Sequence, residues 1–184
     1  MINISKAHAI QGVGSSREQN DFYPTPSNAT IELLKRENFE GSIWECACGD
    51  GAISKLLPKE NNVISTDLIY RGYGEGNTDF LNTYKKVNNI ITNPPYKLAT
   101  EFLKHALECA DQKIAMLLKI QFLEGAKRYN IFKNSPLKKV YVFSQRLKIN
   151  KNGVEGKNGT MFCFAWFVWD KNYKGEPIVD WIIE

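Results

Sequence analysis

Val87-Asn88-Asn89-Ile90-Ile91-Thr92, running straight into Asn93-Pro94-Pro95-Tyr96, is the stretch on which the fold turns. Its apolar residues form a short run without helical spacing, and a pair of prolines closes it. That pattern predicts a buried strand ending at Asn93. Both Asn93 and Pro94 precede a proline and are pushed toward extended backbone, and neither proline has an N–H to donate. The result is a stiff turn of acceptors, the Asn93 side-chain oxygen and the Pro94 carbonyl, at the carboxyl end of a strand.

Working outward, strands and helices alternate. Residues 42–46 read as a strand entering the turn Cys48-Gly49-Asp50-Gly51, residues 52–57 as a helix stopped by Pro58, and residues 63–66 as a strand ending in Asp67. Upstream, Asp21-Phe22-Tyr23-Pro24-Thr25-Pro26 is an extended segment, after which Ser27 or Asn28 can cap a helix carrying Ile31, Leu33 and Leu34. Downstream, residues 100–110 place Phe102, Leu103, Ala106 and Leu107 on one helical stripe, and residues 114–118, 140–143 and 161–169 read as strands. This order predicts an α/β fold with a doubly wound, mostly parallel sheet. Residues 1–20 carry no sustained period and read as a flexible N-terminal arm, leaving 21–184 as a single domain. Residues 148–159, rich in Lys, Asn and Gly, read as an exposed loop.

The chain has 184 residues, 43% of them hydrophobic, enough for one substantial core. Its 24 Lys and Arg against 20 Asp and Glu leave a net charge of +4, a surplus that favours approach to a polyanion without identifying one. The four cysteines lack zinc-ligand spacing, since Cys46-Ala47-Cys48 falls one residue short of the usual clip, and no metal role is indicated. No leader and no apolar run of roughly 18 to 20 residues is present, so the expectation is a soluble protein of a reducing compartment. Neither His8 nor His105 has a catalytic setting. The absence of a Pro-Cys pair argues against a cysteine nucleophile acting on cytosine carbon.

The Gly-rich turn has a particular electrostatic character. Counted from Gly49, Ser54 stands at the last position of the GxGxxG pattern, and Asp50 puts negative charge where a pyrophosphate would have to sit. A ligand carrying positive charge is expected instead. S-adenosylmethionine, with a sulfonium, an ammonium and no phosphate, fits beside Glu45 or Asp50. Asp67, about twenty residues on, stands where a carboxylate accepts ribose hydroxyls. Asp79-Phe80 offers an acceptor for an adenine amino group beside an aromatic face. At Asn93 and Pro94, two acceptors on the hydrogens of an aromatic amine would favour a pyramidal nitrogen, freeing its lone pair to attack a methyl group held close by. Tyr96 supplies a flat face for an extruded base.

This constellation resembles the DNA amino-methyltransferases in which the cofactor motifs precede the catalytic tetrapeptide, and small phage and prophage adenine enzymes above all. The likeness covers residues 21–96. It implies a Rossmann-like seven-stranded sheet with one antiparallel strand near the C-terminus, for which residues 140–169 are the candidate. It further implies transfer of a methyl group from S-adenosylmethionine to N6 of adenine in DNA after base flipping. By the same likeness Asn93, Pro94, Pro95 and Tyr96 are catalytic. Tyr23, Thr25, Pro26, Glu45, Ala47, Cys48, Gly49, Asp50, Gly51, Asp67, Asp79, Phe80 and Asn93 bind the cofactor. Restriction-type relatives carry a separate target-recognition domain, whereas only about fifteen residues follow the last expected strand here. Sequence reading is therefore expected from loops or a partner subunit, with Arg146, Lys148, Lys151 and Lys157 as phosphate contacts. The cytoplasm of a bacterium or phage-infected cell is the expected location. The same tetrapeptide also serves RNA amines, cytosine N4 and a protein glutamine amide, and a non-catalytic cofactor- or nucleic-acid-binding subunit is a further alternative.

Overall fold

The computed structural model describes residues 22–149 and 162–183. The arm expected at 1–20 and most of the loop expected at 148–159 lie outside them. Seven strands, β1 Ile43–Glu45, β2 Val63–Ser65, β3 Val87–Thr92, β4 Ala110–Lys119, β5 Leu137–Phe143, β6 Phe164–Asp170 and β7 Ile178–Ile182, form one sheet in the order β2-β1-β3-β4-β6-β5-β7. The first four pair in parallel. β6 runs antiparallel to both β4 and β5, and β7 returns parallel to β5. The sheet is thus mostly parallel with one reversed strand near the C-terminus, as expected from the sequence.

Period-two alternation divides the side chains between two covered faces. On one face Trp44, Ile90, Ile114 and Phe167 pack with Phe102, Leu103 and Ala106 of helix α2, Ala99–Cys109. On the other, Ile43, Ile91, Leu117 and Trp166 pack with Ala29 and Leu33 of helix α1, Ser27–Leu34. Six successive residues of β6 are buried because this strand lies between β4 and β5 with both its faces covered. Three buried tryptophans satisfy their indole N–H groups: Trp44 donates to Thr66 Oγ1 (2.9 Å), Trp169 to Ser135 Oγ (3.1 Å) and Trp166 to the Ala29 carbonyl (2.7 Å). The last bond ties α1 to the centre of the sheet.

Three local expectations differ. The helix expected at 52–57 is only a single 3-10 turn at Ser54–Leu56, because the Ser54 N–H is drawn to the Glu45 carboxylate instead of a helical carbonyl and Leu57 is already extended. Helix α3, Ala126–Asn134, was not expected. It buries no residue fully and so leaves no apolar stripe to read. Among the residues after the last expected strand, Ile178–Ile182 form β7, an edge strand with only Ile182 buried. No helix among the described residues is long and apolar enough to cross a membrane.

At the amino end of the parallel strands, Glu37 is almost fully buried and gathers three partners. Lys113 of β4 lies at 2.7 Å, Lys138 of β5 at 3.7 Å, and the Tyr141 hydroxyl donates at 2.8 Å. Lys138 also pairs with Asp170 at 3.1 Å. Removing one member of a buried cluster leaves the others desolvated and unpaired. Glu37→Ala should therefore cost about 2–3 kcal/mol in urea unfolding, below the full value for a buried pair because both lysines keep some water contact. Replacing Glu37 and Lys113 together by methionine should recover part of that loss. A single Glu37→Ala loss under about 0.5 kcal/mol would contradict this account.

Candidate active site

The chain lays β2 on one side of β1 and β3 on the other, with Trp44 level with Ile90. The strand order reverses between β1 and β3, and the carboxyl ends of two such strands leave a crevice where ligands bind in sheets of this kind. The Gly-rich turn leaves β1 on one side of this crevice. Asn93 leaves β3 on the other.

The turn is held mainly by acidic side chains. Asp67, just beyond β2, accepts the Gly49 N–H at 2.8 Å and the Ile69 N–H at 2.9 Å. Glu45 accepts the Ser54 N–H at 2.8 Å and the Ser54 hydroxyl, which also bonds Ser65 Oγ at 2.6 Å. Asp50 accepts the Ala52 N–H at 3.2 Å and stays partly exposed. Gly49 and Gly51 have φ of 57° and 82°, and a Cβ at either would strike the ring of Phe22 or Tyr73 at 2.2 and 2.5 Å. Both positions therefore need glycine for backbone conformation and for space. Arg71 lies 4.7 Å from the Phe22 ring centre.

Glu45 is buried in this network. Burial first of all pushes its carboxyl up from 4.5 to about 8, with Asp67 and Asp50 adding to the rise and the two Ser54 bonds opposing it. Glu45 thus supports the turn from beneath, and Asp50 and Asp67 are the more accessible acids. Burial, with Glu45 and Asp67 next, raises the Cys48 thiol to about 12, and burial likewise holds the Cys46 thiol well above its ordinary value. Neither is a thiolate nucleophile at neutral pH.

Across the crevice the Asn93 amide nitrogen donates to the Tyr23 carbonyl at 3.3 Å and to Thr25 Oγ1 at 3.1 Å. The Asn93 side-chain oxygen is buried with no hydrogen-bond partner, and so is the Tyr96 hydroxyl. Burial pushes the Tyr96 phenol well above its ordinary range. Pro95 gives its carbonyl to the Leu98 N–H at 2.8 Å and so starts the 3-10 turn leading into α2. The Pro94 carbonyl has no such task among the described residues.

The structure brings Tyr23, Thr25 and Asn93 into direct contact, and Gly49 to Asp67. It treats Asp79 and Phe80 differently from expectation. Asp79 caps a 3-10 turn, accepting from Leu81 N (3.0 Å) and Asn82 Nδ2 (2.6 Å). Phe80 is 2% exposed, edge-on to Trp44 at 5.0 Å, so its ring belongs to the core and offers no open face. Arg146 and Lys148 are exposed while the alternating Leu147 and Ile149 are buried, and Lys151 and Lys157 lie outside the described residues. Sequence reasoning missed the surroundings of Tyr96. Phe164 lies 5.6 Å from its ring, and the Lys119 ammonium sits 5.2 Å from it and 3.4 Å from the Phe162 ring. A lysine closing the apolar run Ile114 to Leu118 was the available signal.

No protein-family model and no curated protein sequence matches the chain. Solved structures do. A "modification subunit of a putative type I restriction enzyme" from Vibrio vulnificus YJ016 superposes with a TM-score of 0.62 at 13% identity over 89% of this chain, which spans 47% of that one. A "putative RNA methyltransferase" from Pyrococcus horikoshii gives 0.57 at 22% identity over 81% and 86% of the two chains. Magnesium protoporphyrin IX methyltransferase from Synechocystis PCC 6803, solved with bound S-adenosylmethionine, gives 0.52 at 13% identity over 79% and 77%. These likenesses show that the chain has the Rossmann-like methyltransferase fold.

The raised Glu45 carboxyl has a testable sign. The folded protein keeps a proton that the unfolded chain loses above about pH 4.5, so stability falls as pH rises toward 8. Glu45→Gln keeps an acceptor for Ser54 and removes the titration. Thermal melts of the two proteins should diverge from pH 5 to 8, with the variant gaining on the wild type at the upper end. Parallel melting curves across that range would show that Glu45 is not a proton-holding acid.

Proposed function

We propose that this protein transfers a methyl group from S-adenosylmethionine to an exocyclic amine, with N6 of adenine in DNA as the substrate. The observation that carries the reading is the buried, partnerless Asn93 oxygen at the carboxyl end of β3. An unsatisfied buried acceptor is costly, and a substrate N–H is a partner that would relieve it. Residues 21–184 act in this reading as one catalytic domain in the cytoplasm.

The crevice suits the cofactor. Asp50 and Asp67 place carboxylates around the turn, an environment favourable to a cation and hostile to a pyrophosphate. Gly49, Asp50, Gly51 and Asp67 are the residues assigned to hold it. When bound, it supplies a methyl group made electrophilic by the attached sulfonium. Asn93 Oδ1 and the Pro94 carbonyl accept the two amine hydrogens, orienting the nitrogen and favouring its pyramidal form. Tyr96, backed by Phe164 and flanked by Lys119, provides an aromatic wall for an extruded base, and the ammonium lies where a nucleic-acid phosphate could meet it. Target sequence is assigned to surface loops or a partner subunit. Support for a nucleic-acid substrate includes the likeness to the Vibrio vulnificus modification subunit.

Incubation of the protein with methyl-tritiated S-adenosylmethionine and duplex DNA should yield labelled N6-methyladenine on nucleoside analysis. Asn93→Ala should reduce the rate by roughly 100-fold or more while calorimetry shows cofactor binding retained. Protein that binds cofactor but labels no DNA at any ionic strength would remove the DNA assignment. Label appearing in RNA or in a protein band would move the same chemistry to that substrate.

A further inference from the structure

We infer that Thr25, with the Tyr23 carbonyl, sets which way round the Asn93 amide sits, and so acts as a positioning residue for amine transfer. The inference rests on the proposed amine methylation. An asparagine amide can turn end for end with almost no change of shape, exchanging an acceptor for two donors. Only its partners decide which end faces the substrate.

Here they decide it unambiguously. The Tyr23 carbonyl can only accept, and it lies 3.3 Å from the Asn93 amide nitrogen. Turned over, Asn93 would set its own oxygen against that carbonyl, two acceptors with no hydrogen between them. Thr25 Oγ1, at 3.1 Å, takes the second amide hydrogen. Both donors are thereby held on the side of the N-terminal segment, and Oδ1 is left buried with no partner. In the opposite orientation the amide would point N–H groups at an amine that also carries N–H groups, and the acceptor that transfer needs would be lost.

The hold on Thr25 is itself rigid. Thr25 is 7% exposed, and the next residue, Pro26, caps α1 and accepts the Ala29 N–H at 3.0 Å. Ala29 in turn accepts the Trp166 indole at 2.7 Å. A chain of fixed contacts thus runs from the centre of the sheet through α1 and Thr25 to the amide. The Thr25 hydroxyl accepts in this arrangement, which differs from serving solely as a cofactor contact.

Thr25→Val keeps the shape and removes the acceptor; Thr25→Ser keeps the hydroxyl. The valine variant should lose on the order of 10- to 100-fold in kcat, the scale expected when a reacting geometry is slightly misplaced, with the calorimetric Kd for S-adenosylmethionine unchanged within about threefold. The serine variant should restore kcat. In an Asn93→Asp background both terminal atoms are oxygens, so Thr25→Val should add little further loss. Independently of activity, the 15N side-chain amide resonances of Asn93 in the free protein should shift in Thr25→Val and stay in place in Thr25→Ser. Unmoved resonances in the valine variant would overturn the inference, as would a weakened Kd with kcat intact. If the wild type transfers no methyl group to any amine, the underlying reading fails, while the resonances still report whether Thr25 holds the amide.

Discussion

Two consecutive residues without an amide hydrogen follow Asn93, and much of the molecule is arranged around that fact. Pro94 and Pro95 cannot donate to a ladder, so the pairing of β3 with β4 stops at Thr92 and the chain must leave the sheet. Leaving there, it meets the N-terminal segment, where Tyr23 and Thr25 receive the Asn93 amide. It then turns through the Pro95 carbonyl into α2, whose apolar stripe covers one face of the sheet. The same constraint thus ends a central strand, fixes a polar side chain at the crevice and launches the helix that closes the core.

The opposing wall of the crevice is organised by carboxylates as much as by glycines. Asp67 and Glu45 each reach back from a strand end to take backbone N–H groups of the turn, so the loop has a defined shape although it carries only a single 3-10 turn. The two acids differ in burial. Glu45 is sealed in the core and retains its proton near neutral pH, whereas Asp67 is only partly buried. Keeping one acid neutral limits the repulsion among Glu45, Asp50 and Asp67.

Legibility in the sequence followed how local each signal was. β3 was read to the residue because an apolar run and a proline pair bound it, and the glycines of the turn were legible because positive φ leaves few substitutes. The parallel order followed from the alternation of elements, and the single reversed strand from the resemblance. Other features depended on tertiary partners that no local pattern encodes. Helix α3 has no fully buried side, β7 is an edge strand with one buried residue, and Phe80 becomes core because Trp44 and Phe102 surround it. Within the crevice, the residue types of Thr25 and Asn93 were legible, but their hydrogen bond joins positions 68 apart in the chain. Lys119 is placed over Tyr96 by the pairing of β4 with β3 and β6, which is likewise non-local.

The partnerless atoms at the end of β3 bear on the durability of the molecule. A buried acceptor or hydroxyl left without a partner costs on the order of 1–3 kcal/mol, a sizeable fraction of the net stability of a domain this size. Phenylalanine in place of Tyr96 would remove that cost, whereas an apolar residue in place of Asn93 would also cut its bonds to Tyr23 and Thr25. Drift under pressure for durability alone would therefore erode this corner of the sheet before the surrounding core.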